Sequence, residues 1–552
     1  MFSALARTPH HSLLFSLVII TTLFSPASAD WKYKSRPDLA PPTLNITTPA
    51  TSTVSPGYIF VAPYSFPGWD PPLPHGPLQP GPYIFTSSGE LVWSGFGYIS
   101  GYVANFQAAR WKGKDVIFAF EGSLNGKKGH GHGHTTILNG SYEAIKQVRG
   151  AGSKILDVHE FQVLDERTAV VEIYRPTPFE LKRFGTGPKS QWIVDAVFQD
   201  IEIDTGRLLF EWSSLDHVPP EESVYSIASL AFGTGHNSSD ALDYFHINSV
   251  DRDSDHSYLV SGRHTSTIYK INGTSSAIIW RLGGKHSNFT LGPGVAFSFQ
   301  HHARFISHPK SAGDDTSIEI ISLFDNSGPE LHSESGEYAN ESSGKILALN
   351  TTSWTATLLQ SFPAPAGVFA LSQGNTQILP NGNAFVSWGS AGAITEFSPD
   401  GTVIFHAYLE SGDLWTNGNV QNYRGFRFNW TGTPHEEPAI VALTHGESTV
   451  VYVSWNGDTE TVSWAFYGVD NEGREIIMGE KAREGFETSF YVWSGKEWRG
   501  FFAEAVEKDG RVTRRSKVVR KEEYVYEYVP GRDDLAYQQG FYEAPGGQGG
   551  EL

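Results

Sequence analysis

The chain has 552 residues, enough for more than one domain, and its 13% aromatic and 18% charged residues mark it as core-forming rather than disordered. A formal net charge of -19 argues against nucleic acid or an anionic membrane as the main partner. There is no cysteine, so burial and strand pairing must hold the fold without disulfides.

Residues 1–29, "MFSALARTPHHSLLFSLVIITTLFSPASA", read as a secretory signal peptide. Arg7 comes early, an apolar run follows from Leu13 to Phe24, and Ala27-Ser28-Ala29 forms a small-residue cleavage pattern. The run is too short to span a bilayer, and no other stretch is apolar enough, so no membrane span is expected in the mature chain. Sequons at Asn45, Asn139, Asn237, Asn272, Asn288, Asn340, Asn350 and Asn429 suit a secreted glycoprotein, extracellular or bound to a cell wall. Residues 30–56, rich in Pro, Thr and Ser, read as an extended lead-in.

From 57 to 434 one pattern recurs: an apolar strand, a turn of Gly, Asn or Asp, and a second apolar strand. The copies are "YIFTSSGELVWSG" from Tyr83, "TILNGSYEAIKQV" from Thr136 and "IEIDTGRLLFEWS" from Ile201. "IYKINGTSSAIIWRL" from Ile268, "ILALNTTSWTATLLQ" from Ile346 and "ITEFSPDGTVIFHAY" from Ile394 follow. Six such hairpins, with further strands between them, predict an all-β fold built on a six-bladed β-propeller. Residues 439–530 change to alternating runs and predict a β-sandwich of immunoglobulin or fibronectin type, with Asn456-Gly457 as a hairpin turn. Residues 531–552, ending "EAPGGQGGEL", are expected to be a disordered tail.

In a propeller the innermost strands line a central channel, so polar groups near those strands are the candidates for chemistry. His246 and Asn248 of "DYFHINSVD" sit two apart, which on a strand turns them to one face. "VSGRHTSTIY" offers Arg263 beside His264, and "FSFQHHARFI" offers His301, His302 and Arg304. Alternation cannot bring His301 and His302 to one face without a bulge. In "KKGHGHGHTTILNGSYE", His130 is expected in the channel, with His132 and His134 in a loop. Zinc or copper is the alternative for this triplet, but its glycines argue against a rigid strand and no carboxylate or thiol lies nearby in sequence, so no metal is assigned. "FDNSG" from Phe324 reads as turn chemistry.

"HINSVDRDSDHSYLVSGRHTSTIYKINGTSSAIIWRLGG", followed by "FSFQHHARFI" and "ISLFDNSG", resembles the arylsulfotransferase family in its fungal secreted branch. "GPYIFTSSGELVWSG", "GHGHGHTTILNGSYE" and "SQGNTQILPNGNAFVSWGS" fit the same pattern. The resemblance implies a propeller enzyme that moves a sulfuryl group from an aryl sulfate donor to a phenol acceptor. It implies a transiently sulfated histidine, no nucleotide donor and no cofactor. Carried over, His246 with Asn248 matches the family's His-x-Asn pair, Arg263 its sulfate-binding arginine, and His130 a further channel histidine. His301 becomes the candidate nucleophile, with His302 its rival because the register is ambiguous by one. Thr376 stands for a channel threonine, and Arg304 joins it and His302 as substrate-binding candidates. This chemistry suits the residues: a guanidinium orients an anionic group, and a neutral imidazole is a competent nucleophile. His246 or His130 would handle phenol protons, and Asn248 would donate to a developing oxyanion. Bacterial members carry a small β-domain before the propeller, whereas here one follows it. The same channel would also suit a non-catalytic propeller for cell-wall glycans, or a lyase or cyclase.

Overall fold

The computed structural model describes residues 33–65, 77–306, 317–327, 341–409, 420–445, 448–492 and 496–523. The expected signal peptide 1–29, the tail 531–552 and the sequon at Asn340 lie outside the described residues. Apart from short 3-10 turns, the regular structure there is all strand, and no helix is long and apolar enough to cross a membrane.

Among the described residues, six sheets of four or five strands, antiparallel except where the edge strand Thr290–Leu291 runs parallel to Thr355–Pro363, hold most of the regular structure. The second runs Tyr102–Trp111, Lys114–Asn125, His130–Leu138 and Ala144–Val148. The third runs Phe161–Leu164, Thr168–Pro178, Trp192–Glu202 and Leu208–Ser213, and the fourth Ile247–Arg252, Ser257–Gly262, Thr267–Asn272 and Ile278–Gly283. The fifth begins at His301–Phe305 and the sixth at Asn375–Ile378. The first sheet takes its leading strand, Phe426–Phe428, from far down the chain and pairs it with Tyr58–Val61. Each of the six expected hairpins forms, as the last two strands contributed by its own stretch of chain.

Both faces of these sheets are buried, which is why the strands read as nearly continuous apolar runs. Successive side chains point to opposite faces, so Ile59 joins a core shared with the sixth sheet while Phe60 joins one shared with the second. The second and third sheets share Phe118, Ile137, Val171 and Val197. Further cores join third to fourth, fourth to fifth and fifth to sixth. Each sheet thus packs on its predecessor, and the sixth packs on the first.

The lead-in is more than a spacer: Asn45–Thr48 adds an outer strand to the sixth sheet, against Val403–Tyr408. Two further four-stranded sheets follow. One holds Ala439–His445, Ser448–Ser454, Glu487–Val492 and Lys521–Glu523; the other holds Thr461–Val469, Glu475–Ala482, Gly500–Glu507 and Val512–Arg515. They share a core of Val451, Val453, Trp464, Phe466 and Phe501.

Asn456-Gly457 is not a hairpin turn, because the strands on either side of it belong to different sheets. Asn456 instead pairs with the first sheet, accepting from the Ser94 N–H at 2.8 Å and donating to the Ser94 carbonyl at 2.9 Å. The glycine-interrupted histidines also depart from expectation, since His130–Leu138 is a strand paired along its length with Lys114–Asn125. Its glycines are there for space: a Cβ on Gly131 would lie 2.7 Å from Val158 Cβ.

Candidate active site

The leading strands of several sheets bring their first residues to one cavity of about 500 Å³. His159 comes two residues before Phe161–Leu164, His246 directly before Ile247–Arg252, and His301 opens His301–Phe305. Gln373 precedes Asn375–Ile378, Tyr423 precedes Phe426–Phe428, and the turn after Ser257–Gly262 supplies Arg263 and His264. Tyr64, Tyr102 and Phe232 add aromatic walls, a lining that suits a flat apolar ligand. His246 and Gln373 hold left-handed backbone at φ 52° and 67°, a strained geometry for such residues that concentrates at functional sites.

His301 is oriented from behind. Asn326 donates through Nδ2 to the carbonyls of Ala370 at 2.9 Å and Gln373 at 3.0 Å, which turns its Oδ1 toward the imidazole. His301 Nδ1 faces that Oδ1 at 2.6 Å and the Phe299 carbonyl at 3.1 Å. Two acceptors there require the proton on Nδ1, so Nε2 carries the lone pair. Its neighbour is the Gln373 N–H, at 3.3 Å. Burial and then the charge of Arg263 hold His301 well below the ordinary histidine range, against the pull of Asn326, so the ring is neutral.

Arg263 has no carboxylate partner among the described residues. It donates to the Leu371 carbonyl at 3.1 Å and lies over the Phe299 ring at 4.7 Å, and its Nε makes no hydrogen bond. Burial pushes its pKa down to about 10 against the opposing charge of Asp243, so it remains a cation. A cation held without an ion pair at a cavity wall is a ready anion site.

Two carboxylates orient the remaining imidazoles. The Nδ1–H of His246 donates to Asp243 Oδ2 at 2.5 Å, leaving Nε2 as its outward nitrogen. His130 Nε2 approaches the same oxygen at 2.8 Å, and His264 Nδ1 bonds the Asp243 carbonyl at 2.8 Å. Burial lowers His246 to about 4 despite Asp243, while burial fails to outweigh the Asp243 bond to His130, which stays above its ordinary value. The proton of this trio therefore belongs on His130. Separately, the Nδ1–H of His159 donates to Asp157.

The structure separates the expected residues. His246, Arg263 and His301 line the cavity. His130 does not: it stacks on Tyr174 at 4.1 Å, behind Asp243. Asn248 is not beside His246 in the cavity either, because the register shifts between Ile247 and Ser249 and breaks the alternation. Its amide donates to the Gln300 carbonyl at 2.7 Å instead. A second shift, between His301 and Arg304, buries His302 against Phe426. Arg304 pairs with Glu160 at 2.6 Å, as a buried guanidinium must pair with something. Thr376 donates to the Leu323 carbonyl at 3.0 Å, away from the cavity.

His159, Asp157, Asp243 and Asn326 were not singled out by sequence reasoning. The available signal was position: Asp157 and His159, like Asp243 and His246, stand just ahead of a leading strand. Asn326 hid in a segment that reads as a turn.

Two trios have donor atoms close enough to share an ion: His130, Asp243 and His246, and Asp157, His159 and Glu172. In the first, imidazole and carboxylate lie 2.5 and 2.8 Å apart. Those are hydrogen-bond lengths, shorter than the roughly 3.3 Å between tetrahedral ligands on a common zinc. At those lengths the first trio is joined by hydrogen bonds.

A family model described as Arylsulfotransferase (ASST) matches residues 107–410, more than half of the chain. No curated protein matches. Among solved structures, a protein of unknown function from Bacteroides caccae is 11% identical, covering 67% of this chain and 98% of its own, at a TM-score of 0.35. Hydrazine synthase of Kuenenia stuttgartiensis is 10% identical over 59% of this chain and 73% of its own, at 0.28. An inactive virginiamycin B lyase from Staphylococcus aureus, solved with quinupristin, is 11% identical over 64% and 93%, at 0.25.

Proposed function

The chain belongs to the arylsulfotransferase family, and on that premise we propose that it moves a sulfuryl group from an aryl sulfate to a phenolic acceptor through a sulfohistidine on His301, without a nucleotide donor. The observation that carries this reading is the neutral His301, its proton held on Nδ1 and its Nε2 lone pair facing the Gln373 N–H at a long 3.3 Å, with Arg263 as the strongest charge acting on it. In the first half-reaction Nε2 attacks sulfur, the N–S bond forms and the S–O bond to the donor phenol breaks. In the second, the acceptor oxygen attacks sulfur and the N–S bond breaks, while His246 Nε2 takes the acceptor's proton. Arg263 balances the sulfuryl oxygens, where charge spreads in the transition state.

The wider reading is a six-bladed β-propeller over 57–434, supported by six sheets that share their cores in turn and by the pairing of Phe426–Phe428 with Tyr58–Val61. A β-sandwich of immunoglobulin or fibronectin type follows it over 439–530. Residues 1–29 and the sequons support secretion.

The test is transfer from nitrophenyl sulfate to phenol, with mass analysis of the His301 peptide. Wild type is expected to transfer and to carry SO3 on that peptide. His301→Ala should abolish both, and Arg263→Ala should cost roughly 10²–10³ in rate, as loss of a transition-state donor does. If no aryl sulfate in a broad panel gives transfer or sulfohistidine, the transferase reading fails and the cavity should be tested for glycans.

A further inference from the structure

A sulfuryl group in transfer is one anionic group, and Arg263 is there to meet it. The cavity holds more positive charge than that. Its lining carries Lys127, Lys128 and Arg263 against Asp240 and Asp243, and Asp243 is engaged with His246 and His130. The two lysines belong to the turn at 126–129, between Lys114–Asn125 and His130–Leu138. Neither has a part in the transfer step itself. Yet the next residue, Gly129, brings this turn against a reacting imidazole: a Cβ there would lie 3.5 Å from His246 Cε1.

Lys128 is held still. Its ammonium pairs with Asp240 Oδ1, on the segment that joins the third sheet to the fourth. Asp240 is itself fixed. Its Oδ2 accepts from the Thr234 N–H at 3.2 Å and from the Thr234 hydroxyl, and its carbonyl accepts from the Gly235 N–H at 2.8 Å. Burial would raise Asp240, but Lys128 and Thr234 outweigh it and bring the carboxyl down to about 2, so the pair stays ionised. Gly233 gives the ammonium room, since a Cβ there would lie 3.0 Å from Lys128 Nζ. A lysine that binds an anion normally loses rotamer freedom in doing so. Here Asp240 has removed that freedom beforehand, which favours binding. An ammonium has three donors, and Asp240 takes one. The side chain is 13% exposed, so its remaining donors act where water and salt screen them less. Lys127 beside it is exposed, marks the open side of the cavity, and has no ion pair among the described residues.

Resting on the transferase reading, we propose that the aryl substrates of this cavity carry a carboxylate on an arm away from the reacting oxygen, that Lys128 binds this carboxylate with Lys127 in support, and that Asp240 positions Lys128. The reacting oxygen lies toward His301 and Arg263, the ring among Tyr64, Tyr102 and Phe232, and the acid at the turn. Both half-reactions use the one cavity, so donor and acceptor meet the same lysines. An ammonium already fixed and partly desolvated makes a stronger charge-assisted hydrogen bond than a free surface lysine does.

The experiment loads His301 from nitrophenyl sulfate and offers acceptors in matched pairs: hydroxybenzoate, hydroxyphenylacetate and hydroxyphenylpropionate, each beside its neutral amide. Wild type should prefer the acid to its amide in kcat/KM by about tenfold or more at one arm length at least, as a hydrogen bond to a charged group would give. The preference should shrink as salt is raised. Lys128→Gln keeps a donor for Asp240 and removes the charge. It should bring the ratio of acid to amide down toward one, chiefly by raising the KM of the acid. Lys127→Gln should lower the ratio by a smaller factor, and it decides together with the wild-type ratio should Lys128→Gln fail to fold. If wild type takes acid and amide equally at every arm length, or if Lys128→Gln slows both by the same factor, the pair with Asp240 is a latch between two segments. The carboxylate assignment is then overturned and the transferase reading stands. If no aryl sulfate loads His301, the transferase reading falls and takes this assignment with it.

Discussion

Asn326 shows how much a single amide can decide. Its two N–H donations leave its oxygen only one direction, and that oxygen fixes the proton of His301 on Nδ1. A carboxylate at this position would favour the imidazolium instead and would hold back the Nε2 lone pair. Asn326→Asp should therefore move the acid limb of the pH profile for His301 sulfation upward, by roughly 1–3 units for an opposite charge this close. Activity should return as the pH rises past the new limb. A profile unchanged in position but lower in height would mean that Asn326 only supports the fold. The same scale explains why His301 and His302 could not be separated in the sequence. Alternation limits the cavity to one of them but does not say which, and the register shift that decides is a backbone event with no residue signature. Arg263, as the sulfate-binding arginine, and Arg304, as a substrate-binding residue, were both expected to meet a ligand. What distinguishes them is Glu160, far from Arg304 along the chain, which pairs with one guanidinium and leaves the other for a ligand.

At the scale of elements, apolar runs and turn residues made the hairpins legible, because both signals are local. The Asn456-Gly457 pair misled for an instructive reason: the turn chemistry was read correctly and its use was not. Asn456 copies a backbone strand toward Ser94, Gly457 donates to the Val92 carbonyl at 2.8 Å, and Tyr142 donates to the Gly457 carbonyl at 2.7 Å. The segment is a joint between the C-terminal sheets and the first sheet. Asn456→Ala leaves the buried N–H and C=O of Ser94 without partners, at a cost of about 1–3 kcal/mol for each unsatisfied group. Denaturant unfolding should show that loss, while transfer activity at low denaturant stays near wild type, since the cavity lies elsewhere. A variant as stable as wild type would mean that water replaces the amide. The histidine strand makes the matching point from the other side. Glycine weakens a strand by itself, but Gly131 and Gly133 sit where a neighbouring segment or strand leaves no room for a Cβ, so tertiary packing overrides the local preference.

For the whole molecule, the cysteine-free chain is held by cores that pass from sheet to sheet, and polar groups are buried between them. That the chain is all-β was readable because burial on both strand faces writes itself into composition. The buried electrostatics were not, because they join residues from several sheets. Glu172 is the sharpest case: fully buried, with neither carboxylate oxygen hydrogen-bonded among the described residues. Burial, and then the charges of Glu160 and Asp157, push its carboxyl well above the usual range, so it carries a proton in the folded state. The unfolded chain releases that proton near the ordinary carboxylate value. Folded protein then binds more protons than unfolded protein across the window between the two values, and stability falls as the pH rises through it, by up to about 1.4 kcal/mol per pH unit for one proton. The depressed carboxylates work the other way: burial would raise Glu160 and Asp243, but Arg304 and Arg424 outweigh it for the first and His246 and His264 for the second. Their contribution is lost as the pH falls toward their lowered values. Glu172→Gln keeps the shape and removes the titrating proton. The variant should match wild type below the ordinary carboxylate value and become progressively more stable than wild type as the pH rises above it, as read from denaturant midpoints at fixed ionic strength. A stability difference independent of pH would mean that Glu172 is ionised in the fold, with its charge met by Arg424 or Arg304, and that the buried charges balance differently.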